Sequence, residues 1–163
     1  MSPIHDSLKA VPRLRIAGPS DAEGLAALIR LAFAHQALLT DPPPSALHES
    51  ASNLAQHFAR GAGGVLAEGP VAALLWEEKE AALSLSRLAV HPDWRGRGLA
   101  RRLLAAAEAL ARARAVPRLI LSTRLVLTDN RRLFAACGFT EVSTEAHPGY
   151  AAPTSVNLEK RLA

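Results

Sequence analysis

Between Val90 and Leu104 the apolar residues switch from a strand-like run to helical spacing, and a glycine-bearing loop makes the switch. Ala82 to Val90 is an apolar run of strand length, and Pro92 halts it because proline cannot donate to a ladder. From Gly98 onward Leu99, Leu103, Leu104, Ala107, Leu110 and Ala111 form one stripe, with Arg101, Glu108 and Arg112 opposite. The linking residues, His91-Pro92-Asp93-Trp94-Arg95-Gly96-Arg97-Gly98, include two glycines that let backbone amides approach a ligand closely. First-turn amides of a helix have no internal partners, and the helix dipole adds positive potential there. Strand, glycine loop and helix N-terminus make an anion site suited to a pyrophosphate, and Arg95, Arg97 and Arg101 add charge around it.

Two common phosphate loops are excluded. A Walker loop needs Gly-Lys-Ser/Thr, and this chain has Gly98-Leu99-Ala100. The dinucleotide fingerprint needs a third glycine where Arg101 stands. The runs Val65–Glu68, Val71–Glu78 and Ala82–Val90, separated by short polar turns, also predict an antiparallel meander rather than a βαβ unit.

The rest of the chain fits around this centre. Pro12 to Ala17 reads as a short strand, and Ser20 or Asp21 caps a helix carrying Leu25, Leu28, Ile29, Ala32 and Phe33. Pro42-Pro43-Pro44 breaks the chain. Ser45 to Arg60 reads as one second helix ended by Gly61, Gly63 and Gly64. After Pro117, Leu119–Leu121 is a buried strand, and a short helix from about Asn130 to Cys137 stops at Gly138. Strands Phe139–Glu145 and Ser155–Lys160 then flank His147-Pro148-Gly149-Tyr150. The expected order is β-α-α-β-β-β-α-β-α-β-β. It forms an α/β (α+β) domain with a central mixed, mostly antiparallel sheet of six to seven strands and about four helices. One domain over 1–163 is expected, with 1–11 a flexible or extended N-terminal segment.

Composition sets outer limits. Apolar residues at 49% and charged residues at 21% suit a soluble globular domain, and no apolar run approaches a bilayer span. The N-terminal residues lack a secretory pattern and Cys137 has no partner for an intrachain disulfide, so a cytoplasmic location is expected. His5, His35, His48 and His57 show no metal-ligand spacing with one another or with Cys137, so no metal is expected. The charge of +4 suits a phosphate-rich ligand as well as nucleic acid.

The segment Arg95-Gly96-Arg97-Gly98-Leu99-Ala100 resembles the Arg/Gln-x-x-Gly-x-Gly/Ala signature of the GNAT superfamily of acyl-CoA N-acyltransferases. Asn130-Arg131-Arg132-Leu133-Phe134-Ala135-Ala136-Cys137-Gly138-Phe139 resembles that family's second block. The resemblance implies an acetyl-CoA-dependent N-acetyltransferase: the acetyl group moves to a primary amine by direct attack in a ternary complex. It implies that the backbones of Leu88, Ala89 and Val90 pair with the pantetheine arm and that one of their amides faces the thioester oxygen. Amides from Arg95 to Arg101 would take the pyrophosphate, Asn130 would bond the arm, and Phe134 would stand where the family has a tyrosine acid. A phenyl ring donates no proton, so either the thiolate leaves unaided or another donor acts, with Tyr150 the candidate acid. Ser86, near the usual position of a glutamate base, could order a water; His147 and Glu145 are alternatives, and the base itself is unassigned. Arg87, Arg124 and His147 are candidate acceptor contacts, with Arg87 and Arg124 read equally well as ion pairs. A homodimer is common in such proteins.

Two rivals remain. A catalytically impaired acyl-CoA-binding or regulatory module accounts for Phe134 and the unassigned base. Nucleic-acid binding ranks last, because the arginines are dispersed and no nucleic-acid motif accompanies them.

Overall fold

Alternation along β2 and β3 builds a core on both faces of one sheet. The computed structural model describes residues 11–36 and 38–162, so the expectation of an extended segment over 1–11 falls, Val11 aside, outside the described residues. The elements in order are β1 (Leu14–Ile16), α1 (Ala22–Ala34), α2 (Ala51–Ala59), β2 (Gly63–Ala67), β3 (Ala72–Lys79), β4 (Ala82–Val90), α3 (Leu99–Ala113), β5 (Arg118–Arg124), α4 (Thr128–Ala136), β6 (Thr140–Glu145) and β7 (Ser155–Arg161). This is the expected order. The sheet runs β1-β2-β3-β4-β5-β7-β6, with every pair antiparallel except β4 and β5.

Successive strand side chains point to opposite faces. Val65, Ala67, Ala72, Leu74, Trp76, Leu83 and Leu85 therefore face the stripe of α3, including Leu99, Leu103, Leu104 and Ala107. Leu66, Ala73 and Leu75 face Leu25, Leu28 and Ile29 of α1 and Leu54 of α2. Each fully buried leucine contributes about 1.5–3 kcal/mol, so these two layers dominate the fold. Strand β6 lies at one edge, and all six of its residues are exposed.

Two local readings change. The helix expected over Ser45–Arg60 is broken: Ser45–His48 is a single 3-10 turn, Glu49 is extended, and α2 starts after Ser50. Ser50 Oγ accepts the Asn53 amide at 3.1 Å, a side-chain cap that competes with continuing the helix. The Glu49 carbonyl is meanwhile taken by Arg30 Nη1 at 2.7 Å. Of the glycines assigned to end α2, only Gly61 (φ +87°) is in the left-handed region after it. Gly63 and Gly64 belong to β2, where a Cβ at Gly63 would lie 2.6 Å from Trp76 Nε1.

Candidate functional site

The parallel pair β4 and β5 parts soon after it forms. Its register holds only Leu83↔Leu119 and Ser84↔Ile120. Beyond these, Leu121 to Arg124 pair with β7 alone, and β4 continues to Val90 paired with β3 alone. A bulge accompanies the parting. Leu75 pairs with Ser86 and Ala73 with Ala89, so Leu74 opposes both Arg87 and Leu88. Arg87 adopts φ +54°, a conformation that costs a side-chain-bearing residue about 1 kcal/mol or more. The β5-facing backbone of Leu88, Ala89 and Val90 is thereby left as an open strand edge within the sheet. Leu88 and Val90 pack toward the α3 layer and Ala89 toward the α1 layer.

At the end of β4 the loop is shaped by its own side chains. His91 Nδ1 accepts the Asp93 amide at 3.1 Å, and Pro92–Trp94 make one 3-10 turn. Trp94 packs on the core, and the Arg97 guanidinium lies 4.9 Å from its ring centroid. Gly96 and Gly98 both have φ +75°, and a Cβ at either would meet no atom within 4 Å. The space over the loop is open, and it is the backbone conformation that calls for glycine. No side chain caps α3 at Gly98, and its first backbone bond runs from Arg102 N–H to Gly98 O at 3.1 Å. The amides of Leu99, Ala100 and Arg101 thus precede the helical ladder, as an anion site requires. Leu99 is buried, Ala100 is half-buried, and Arg101 is exposed beside a hollow of about 190 Å³.

Arg95 does something other than what its position in the loop suggests. Its Nη1 donates to His35 O at 2.7 Å and its Nη2 to Ala32 O at 3.0 Å, capping the C-terminus of α1. Its side chain is therefore turned to α1, and only its backbone is left to face the loop. Three other nominated side chains act on the segment that follows α1. Tyr150 Oη donates to Asp41 Oδ1 at 2.5 Å, and Arg124 Nη1 donates to Pro42 O at 2.5 Å. Arg87 Nε donates to Glu49 Oε2 at 3.0 Å and its Nη1 to Ser45 Oγ at 3.1 Å. Residues 38–49 are thus held by the β4 bulge, the end of β5 and the β6–β7 loop. For Arg87 the ion-pair reading is the one the geometry displays. The bond to Asp41 raises the Tyr150 phenol above its ordinary value, so the phenol keeps its proton at neutral pH. Burial lowers the Arg124 guanidinium from its ordinary value, opposed by Tyr150 and Asp41.

The remaining nominated residues lie apart. His147 closes its own hairpin, with its amide on Thr154 Oγ1 at 3.0 Å and its Nδ1 on the same oxygen. Asn130 is exposed in the first turn of α4. Phe134 is 6% exposed and stacks edge-to-face on Phe139 at 6.0 Å, leaving its ring little surface for a ligand. Ser86 is exposed on the α2 side of β4 and borders a cavity of about 440 Å³. Glu49, Asn53 and His57 line the same cavity. The sequence reading missed Asp41 and Glu49, because each matters through a partner distant in the chain. Among the described residues, no group of three or more His, Cys, Asp or Glu could hold a metal ion. Among them also, no helix is long and apolar enough to cross a membrane.

The sequence profile of the acetyltransferase (GNAT) family matches residues 31–139. No curated protein sequence matches the chain. Among solved structures, it is similar to PaiA N-acetyltransferase from Thermoplasma acidophilum in complex with coenzyme A. That pair has a TM-score of 0.75 and 16% identity, over 92% of this chain and 99% of the other. Ribosomal-protein-alanine N-acetyltransferase from Brucella melitensis gives 0.70 and 22% identity, over 92% and 99%. A Salmonella typhimurium structure determined with its cofactor acetyl-CoA gives 0.70 and 16% identity, over 94% and 95%.

Proposed function

Starting from a chain that belongs to the acetyltransferase (GNAT) family, we propose that it transfers an acetyl group from acetyl-CoA to a primary amine in a ternary complex. The observation that carries this reading is the parting of β4 from β5 beside the uncapped start of α3. An open strand edge suits an amide-bearing arm, and the α3 amides suit a pyrophosphate. The open space over Gly96 and Gly98 fits such a ligand. Acetyl-CoA would supply an activated acyl thioester at this place. Backbone amides of Leu88, Ala89 and Val90 would hold the arm, and one of them would donate to the developing oxyanion, worth about 3–4 kcal/mol. Amides from Arg95 to Arg101 would take the pyrophosphate, with Arg97 and Arg101 supplying positive charge. Asn130 would bond the arm from α4, and Phe134 would support it only by packing behind.

Tyr150 is the one phenol that could protonate a departing thiolate, and that role requires its bond to Asp41 to open. Ser86 could order a water beside the bulge. Arg124 and His147 would border the acceptor entrance, and the domain would act as one unit, alone or as a homodimer. Incubation with acetyl-CoA and a panel of primary amines, read as thiol release, tests the reading directly. Amine-dependent release supports it; tight coenzyme A binding with no release from any amine would instead favour a binding module. An unchanged pH–rate profile in Tyr150→Phe would remove Tyr150 as the acid.

A further inference from the structure

Glu49 is the only acidic residue among the buried groups of the described chain, at 7% exposure, and the fold goes to some length to keep it there. Its backbone carbonyl is held by Arg30 of α1, its Oε2 by Arg87 of β4, and its Oε1 by the Ser50 amide at 3.2 Å. A carboxylate accepts about four hydrogen bonds, so two acceptor positions remain after these contacts. The group borders the 440 Å³ cavity, whose other polar lining is Asn53, Gln56, His57, Arg60, Ser86 and Arg87. Ser86 and Arg87 are shared: they line the cavity and belong to the stretch of β4 whose bulge opens the gap to β5. Glu49 is the one anion on a wall that also carries Arg60 and Arg87, and its unused acceptor positions, beside the place where the acyl donor would end, suit the N–H groups of an ammonium.

We propose that this cavity receives the ammonium group of the acceptor and that Glu49 is the catalytic residue that takes its proton, directly or through one water. The inference rests on the acetyl-transfer reading above and adds the residue that reading leaves unassigned. One N–H proton of R–NH₃⁺ passes to the Glu49 carboxylate, and the freed nitrogen lone pair adds to the thioester carbonyl, whose oxyanion then collapses as the C–S bond breaks. The second N–H proton goes to the departing thiolate, and Glu49 returns its proton to water. Arg87 holds the carboxylate in place between turnovers. Asn53, Gln56 and Ser86 offer oxygens to the remaining N–H groups. The charged and titratable groups around Glu49 are Arg87 from β4, Arg30 from α1, and His57 and Arg60 from α2.

Glu49→Gln keeps the shape and the hydrogen-bond acceptor facing Arg87 while removing the charge and the proton site. The probes are 2-aminoethanol, cadaverine and a tripeptide beginning with alanine, each assayed with acetyl-CoA by thiol release. With whichever amine wild type turns over, Glu49→Gln is expected to lower kcat by about a hundredfold, the usual scale of a lost general base. It should also flatten the acidic limb of the pH–rate profile and leave coenzyme A affinity unchanged by calorimetry. Binding of the same amine without acetyl-CoA should weaken at least about tenfold, the loss of one charge-assisted contact. Activity and pH profile within about threefold of wild type would overturn the proposal while leaving acetyl transfer intact. Loss of coenzyme A binding in Glu49→Gln would overturn it too, by making Glu49 a structural residue. If wild type turns over none of the probes, the two readings fall together.

Discussion

The side of this domain proposed for the donor and the side proposed for the acceptor are built from different materials. On the proposed donor side the groups on offer are main-chain amides, set by a strand that parts from its neighbour, two left-handed glycines and an uncapped helix. On the acceptor side they are side chains, and residues 38–49 are held by Arg87, Arg124 and Tyr150 from three separate elements. A site of the first kind depends on backbone conformation and tolerates most side-chain changes. One of the second kind depends on particular side chains meeting across the fold.

This contrast can be broken most sharply at Gly98. A β-branched residue at φ +75° is strained, and its side chain would rise into the open space over the loop. Gly98→Val is expected to weaken acetyl-CoA binding about a hundredfold, roughly 3 kcal/mol, as measured by calorimetry. Retained affinity would show that backbone conformation does not govern the donor side.

The next largest effect concerns Arg87. Its removal as Arg87→Ala leaves Glu49 buried without its partner. The loss should be about 2 kcal/mol in chemical denaturation, below the ~3–5 kcal/mol of a fully buried pair because the Arg87 side chain is 28% exposed. Arg87→Gly should recover about 1 kcal/mol of that loss, since glycine takes φ +54° without strain. Equal stability of the two variants would mean that the bulge carries no strain.

Beneath α3 a smaller effect is expected. Lys160 Nζ donates to Glu108 Oε2 at 2.9 Å, and this bond, helped by Arg112, holds the Glu108 carboxyl below its ordinary 4.5. A carboxyl lowered on folding contributes stability above the unfolded value and loses it as pH falls through the folded one. Glu108→Gln should therefore cost about 1 kcal/mol at pH 7, and the difference from wild type should shrink as pH falls below 4.5 and through the lowered folded value.

The smallest effect is spectroscopic. Tyr150 is the only tyrosine, so ultraviolet titration of the folded protein follows it alone. Its ionisation should fall above that of free tyrosine and move down in Asp41→Asn. An unshifted titration would mean that the Asp41 contact does not persist in solution.

The same contrast explains what the sequence made legible. Helical spacing in α3 and the apolar runs of β2 to β4 are local patterns, so the order of elements could be read directly. The loop from His91 to Gly98 is contiguous, and its glycines announce its conformation. The acceptor side joins residues far apart: Tyr150 and Asp41 are separated by 109 positions, Arg124 and Pro42 by 82, Arg95 and His35 by 60, Arg87 and Glu49 by 38. No periodicity marks such pairs. The arginines stood out as polar residues in apolar surroundings, but only the fold shows that they grip residues 32–49. The break at Glu49 was hidden because Ser45 to Arg60 has apolar residues at helical spacing throughout.

The parting of β4 from β5 also bears on how such a chain can diverge. Recognition through main-chain amides is largely blind to the genetic identity of the residues that carry it. Positions such as Ser86, upstream of the three residues whose amides would hold the donor, can therefore drift without disturbing that proposed grip. One strand serves two masters: its peptide groups are fixed by geometry, while its side chains are open to selection for new acceptors. A lineage built on this split could exchange acceptors repeatedly and never need to reinvent the donor site.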